Sequence, residues 1–125
     1  MSFANDFRIK PGSKVELTKI DANYKGGYED EEVTTPELLK YSQRLTELQS
    51  LLYAGNKHSL LIVLQGMDGG GKDGVVTHVM AALNPPGCSV VGFKVPSAEE
   101  LAHDYLWRIH KVTPAKGRIT VLNRS

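Results

Sequence analysis

Residues Leu60 to Asp73 read LLIVLQGMDGGGKD, an apolar run leading directly into Gly-x-x-x-x-Gly-Lys. A buried strand that ends in a glycine-rich turn can hold a row of backbone N–H groups open toward a phosphate. Gly66 and Gly71 bracket the turn, and Lys72 puts a point positive charge at the mouth of the following helix. The stretch departs from the usual phosphate loop at Asp73, which stands where Ser or Thr would ligate magnesium. A second acid, Asp68, lies inside the loop. Two carboxylates beside a polyanion repel it unless a divalent cation intervenes, and hard oxygen ligands with phosphate oxygens suit Mg2+. The expectation is a phosphate site built from Gly66, Met67, Gly69, Gly70, Gly71, Lys72 and Asp73, with Asp68 the first candidate to hold the metal. The competing explanation is a plain strand-to-helix turn, in which the two aspartates favour the turn and the helix N-terminus.

Upstream of this stretch, Thr35-Pro36 reads as a capping hydroxyl before a proline at the first helical position. Leu38, Tyr41, Leu45, Leu48 and Leu52 then recur at helical spacing, which predicts one inward face of a helix ending near Gly55-Asn56. Residues 1–34 are polar, carry Pro11, Gly12, Gly26 and Gly27, and show no sustained period. They are expected to form an extended arm, partly ordered by packing on the domain at 35–125.

Downstream, a helix is expected from about Lys72 to Leu83, closed by Asn84-Pro85-Pro86-Gly87. Ser89 to Phe93 reads as a second strand. Ser97-Ala98-Glu99-Glu100 is a capping box opening a third helix, with Leu101, Tyr105 and Ile109 inward and Thr113-Pro114 as its end. Arg118 to Leu122 reads as a third strand. Leu60 to Leu64, apolar on both faces, is expected to be a central parallel strand. Strands alternating with helices imply a parallel α/β sheet with helices on both faces.

In such sheets ligands sit at the carboxyl ends of the strands. Asn123 and Arg124, following the third strand, are therefore expected in the same crevice as the loop. Asn123 offers an oxygen to a metal or its water, and Arg124 a planar fork that fits phosphate oxygens. Lys94 ends the second strand on that edge, where it either contacts a long anion or is simply solvated. His103, Asp104 and Arg108 share a helical face that a surface hydrogen-bond cluster explains as well as an anion contact does. The four histidines are scattered, which argues against zinc, and no Ser/His/Asp grouping supports nucleophilic catalysis.

Composition sets the outer bounds. Fifteen Lys and Arg against fourteen Asp and Glu argue against a general nucleic-acid or membrane-surface binder. The longest apolar run falls far short of the ~20 residues that span a bilayer. A single cysteine, Cys88, excludes an internal disulfide and fits a reducing compartment, hence a cytoplasmic protein. Cys88 itself reads as a small buried hydrophobe.

VLQGMDGGGKDG, HVMAALNPPGC, FKVPSAEELAHDYLWR and GRITVLNRS, in that order, closely resemble the polyphosphate kinase type 2 family. FRIKPGSKVEL and ELQSLLYAGNK resemble its lead-in. The resemblance implies a three-layer P-loop kinase fold and Mg2+-dependent phosphoryl transfer between inorganic polyphosphate and a nucleotide, AMP or ADP. It implies that Gly66, Gly71 and Lys72 bind phosphates, that Asp68 ligates or positions magnesium, and that Arg124 neutralises the transferring phosphate. Catalytic roles are thus expected for Asp68, Lys72 and Arg124, and metal contacts for Asp68 and Asn123.

Gly69-Gly70 stand where the family usually has alanines, a change expected to loosen the loop. The chain is also expected to be incomplete at its C-terminus, because the family continues past Asn-Arg-Ser into further strands and a basic lid. Without those strands Leu60 to Leu64 would have a free apolar edge, a template for aggregation or for pairing with another chain; a homo-oligomer is one outcome. A non-catalytic polyphosphate- or nucleotide-binding remnant, or a fragment of a longer kinase, is the alternative.

Overall fold

The computed structural model describes residues 8–26 and 31–124, with the side chains of 31–34 outside that description. Two compact units divide the chain, Met1–Leu38 and Leu39–Ser125. The acidic run Asp30-Glu31-Glu32 lies largely outside the described side chains.

In the first unit, the described stretch from Arg8 to Gly26 holds a turn at Pro11-Gly12 and a single 3-10 turn, Leu17–Lys19. The long helix α1, Glu31–Gly55, starts in this unit and ends in the second. It begins four residues before the expected cap and takes Pro36 inside it. As the sixth helical residue, Pro36 lacks the N–H that would close on the carbonyl four residues earlier, so the helix forgoes one bond in its second turn. Its C-terminus is as the sequence suggests: Asn56 takes the left-handed conformation at φ 45° and its N–H closes on the Leu52 carbonyl.

The second unit is built on three parallel strands: β1 Leu60–Gln65, β2 Cys88–Phe93 and β3 Ile119–Arg124. Their order in the sheet is β1-β3-β2, with Leu60 and Cys88 both opposite Ile119. The expected central strand is therefore an edge strand among the described residues, and β3 takes the middle. Burial follows the order. Ile119, Thr120, Val121 and Leu122 are all buried, Val121 completely, whereas Leu61 keeps 39% and Val63 54% of their surface. The free apolar edge on β1 is present as anticipated.

One face of the sheet carries the core. Ile62, Leu64, Cys88, Ile119 and Val121 pack with Leu45 and Leu52 of α1, with Val76 of α2 (Lys72–His78), and with Met80 and Leu83 beyond it. The expected 72–83 helix is thus α-helical for its first two turns only and tightens into a 3-10 turn at Met80–Ala82. The α1 stripe also differs from expectation. Leu38, Tyr41 and Leu48 are exposed, while Gln49 is 3% exposed. Gln49 is drawn in because its amide donates to the Asn84 carbonyl (2.8 Å) and accepts from the Asn84 N–H (2.7 Å). Thr46 Oγ1 adds a donation to the Ala82 carbonyl at 2.7 Å. Polar side chains thus stitch α1 to the turn that would otherwise leave its backbone groups unmatched.

After β2 come two short helices, α3 (Ala98–Leu101) and α4 (Trp107–His110). The capping box at Ser97 and Glu100 forms in both directions. The single long helix expected from it does not, and Leu101 and Tyr105 are exposed. Asp104 interrupts the helix: its carboxylate accepts from the Leu106 N–H at 2.8 Å and its carbonyl from the Trp107 N–H at 3.0 Å. A local side-chain acceptor of this kind competes with the helical ladder and restarts it.

Cys88 sits half-buried at the start of β2, where burial raises its thiol pKa. At neutral pH the nucleophilic thiolate is then scarcer than in an exposed cysteine. Iodoacetamide is expected to alkylate Cys88 more slowly in the folded chain than in guanidinium, and equal rates would contradict its half-buried setting.

Candidate phosphate site

The strand-to-helix loop takes its shape from glycine. Gly69 and Gly71 have φ of 77° and 80°, in the left-handed region where a side chain is strained. A Cβ on Gly70 would lie 3.0 Å from the Met67 carbonyl oxygen. In this conformation glycine at 69 and 70 is therefore what the loop's backbone uses.

Lys72, at the first turn of α2, folds back over the loop. Its ammonium donates to the carbonyls of Gly66 (2.9 Å) and Met67 (2.6 Å), and its stem lies against Gly66. Two of three donors are thus turned on neutral acceptors, and the positive charge stays at the loop mouth. The next residue, Asp73, accepts from the Asn123 side-chain amide at 2.6 Å. Only the NH2 end of Asn123 can donate to a carboxylate, so this contact fixes which way the amide points. The other end, Oδ1, is buried and has no hydrogen-bond partner.

These groups surround a cavity of about 360 Å³ lined by Asp68 to Gly74, by Gly92, Phe93 and Lys94 at the end of β2, and by Asn123 of β3. The structure thus brings together Asp68, Gly69, Gly70, Gly71, Lys72, Asp73, Lys94 and Asn123 from the sequence-derived set. Gly66 contributes through its carbonyl under Lys72. Met67 takes part only through its backbone, with its side chain 84% exposed.

Arg124 does not line the cavity. The third strand runs two residues further than expected, so Asn123 and Arg124 are consecutive strand residues and alternate to opposite faces. Gly92 and Phe93 were not foreseen. Gly92 lies directly opposite Asn123 in the register, and a Cβ built on it meets nothing within 4 Å. A glycine interrupting an apolar strand at its carboxyl end was the available signal.

Arg108 braces this wall from behind. Its guanidinium donates to the Lys94 carbonyl at 3.0 Å, lies 4.7 Å from the Phe93 ring centre and is 3.3 Å from the Glu100 carboxylate. His103 stacks on Trp107 at 4.0 Å, and the Lys111 ammonium lies over the same indole, 4.1 Å from the ring centre. His103, Asp104 and Arg108 are therefore engaged in holding their own segment.

For a divalent cation, the test is the donor set. Among the described residues there is no group of three His, Cys, Asp or Glu able to hold a metal. The cavity does offer the Asp68 carboxylate and the orphaned Asn123 Oδ1. That suits Mg2+, which keeps most of its shell as water and substrate phosphate and takes one or two protein oxygens. No described helix is long and apolar enough to cross a membrane.

The profile of the family described as Polyphosphate kinase 2 (PPK2) matches residues 28–125. The chain belongs to that family. It is 48% identical over 119 residues to the ADP-polyphosphate phosphotransferase of Rhodopseudomonas palustris, covering 95% of this chain and 41% of that one. It is 42% identical over 120 residues to the AMP/ADP-polyphosphate phosphotransferase of Meiothermus ruber, covering 95% of this chain and 45% of that one. The crystal structure of polyphosphate kinase 2 from Arthrobacter aurescens TC1 superimposes with a TM-score of 0.83 at 39% identity, over 94% of this chain and 43% of that one. This PPK2 chain thus spans less than half the length of the relatives it matches.

Proposed function

We propose that this PPK2 chain provides the phosphate-gripping part of a phosphotransferase that moves a phosphoryl group between inorganic polyphosphate and AMP or ADP. The observation that carries this is the cavity at the carboxyl ends of parallel strands, where glycine-rich backbone, Lys72 and Lys94 meet the oxygens of Asp68 and Asn123. The names of its relatives, polyphosphate phosphotransferases acting on ADP or on AMP and ADP, support the choice of substrates.

Transfer of a phosphoryl group needs little covalent chemistry from the protein and much positioning and charge neutralisation. The loop N–H groups orient phosphate oxygens. Lys72 offsets their charge with its third donor and exchanges the Gly66 and Met67 carbonyls for phosphate as the anion arrives. Asp73 holds the Asn123 amide, and Asp68 and the unpartnered Asn123 Oδ1 are the oxygens that would hold Mg2+. When bound, the metal neutralises and orients the transferring phosphate. Lys94, kept in place by the Arg108 contact on its carbonyl, reaches the anion from the β2 side. The substrates and the single cysteine fit a cytoplasmic setting.

Incubation of the chain with polyphosphate, Mg2+ and ADP is expected to yield ATP above a protein-free control. Binding without ATP would limit this length of chain to gripping phosphate, and no binding of either polyphosphate or tripolyphosphate would remove the assignment.

A further inference from the structure

We propose that residues Arg8 to Ile20 form an accessory site for long-chain polyphosphate, separate from the P-loop cavity; the identity of the ligand rests on the function proposed above. The first unit carries a shallow, open concavity lined by Arg8, Lys10, Lys14 and Lys19, with one carboxylate, Glu16, among them. Lys19 is paired to Glu16 at 2.8 Å. Among the described residues, Arg8, Lys10 and Lys14 have no carboxylate partner, so three positive charges stand uncompensated around one concavity.

The backbone makes this grouping possible. Lys10-Pro11-Gly12-Ser13 is a tight turn, with proline second, glycine third at φ 75°, and the Ser13 N–H closing on the Lys10 carbonyl at 3.1 Å. Proline and a left-handed glycine at those places are what a type II turn requires. Ser13 Oγ donates to the same carbonyl at 2.6 Å, tightening it. The turn doubles the chain back so that Lys10 and Lys14 line one concavity, together with Ile9, Val15 and Ile20.

Three flexible or planar cations around an open cavity suit an extended anion with repeated charge rather than one compact group. Of the ligands in the proposed reaction, polyphosphate is the one that carries repeated charge along its whole length. A longer chain presents more phosphates to the three cations, which makes affinity depend on chain length. Tripolyphosphate is too short to gain from this.

The test uses the full chain carrying Lys72→Ala, so that the P-loop contribution is reduced, and labelled long-chain polyphosphate as the probe. Residual binding is expected, and adding Arg8→Gln, Lys10→Gln and Lys14→Gln is expected to weaken it on the order of tenfold, as three exposed charge contacts would. The same three substitutions in the chain with Lys72 intact should leave tripolyphosphate binding unchanged, which also reports that the fold survives. Lys40→Gln, Lys57→Gln and Lys116→Gln remove the same net charge elsewhere; an equal loss there would overturn the proposal in favour of unspecific attraction. A single-stranded oligonucleotide of matched charge binding as tightly would overturn it in favour of nucleic acid. Failure of the proposed function shows differently, as absence of tripolyphosphate binding by the unaltered chain.

Discussion

Tripolyphosphate binding, measured by calorimetry in the presence of Mg2+, is expected to weaken roughly ten- to a hundredfold when Lys72 is replaced by alanine, the loss of a charged hydrogen bond of about 1.5–3 kcal/mol. The lysine is already half-buried over the loop with its ammonium on the Gly66 and Met67 carbonyls. It therefore does two things at once: it ties the strand end to the start of α2, and it holds a cation where the anion arrives. Arginine is expected to restore only part of the affinity, because a planar fork cannot converge on both carbonyls and phosphate as a tetrahedral ammonium does. Unchanged affinity in Lys72→Ala would take the lysine out of the site and leave the loop as a turn.

The largest stability effect is expected at Gln49, a position that pattern alone assigns to the surface. Gln49→Ala deletes two hydrogen bonds to the Asn84 backbone and a buried side chain, a loss of roughly 2–3 kcal/mol. For a unit of this size that lowers the thermal midpoint by about 10 °C. Leu48→Ala, one residue earlier and exposed, is expected to change stability by less than about 0.5 kcal/mol. Thermal unfolding of the two variants decides between the observed packing and the apolar stripe that the sequence suggests. A larger loss from Leu48→Ala would rotate α1 away from the arrangement described here.

That contrast shows where sequence reasoning reaches and where it stops. The three strands, the glycine-rich loop and the capping box at Ser97 were legible because each rests on local chemistry: an apolar run, a turn residue, a side chain three positions from its partner. The position of Gln49 was not, because its burial depends on a backbone turn distant in sequence that happens to need a donor and an acceptor. The break at Asp104 was hidden for a related reason. An aspartate inside a helical pattern reads as a polar surface residue until its carboxylate is seen accepting from the Leu106 N–H. Most of the site was visible at the ends of Leu60–Gln65 and in Lys94 and Asn123. Arg124 is outside the cavity lining because the strand continues through it, so its side chain alternates with that of Asn123.

The order β1-β3-β2 has a consequence for how the protein is made. β1 and β2 are not hydrogen-bonded to each other; each pairs with β3, the last of the three in the sequence. Until β3 is synthesised neither of the earlier segments can find its hydrogen-bonding partner, so an apolar strand waits exposed. Nascent chains halted just before Ile119 should therefore depend on chaperones far more than chains that have cleared Arg124.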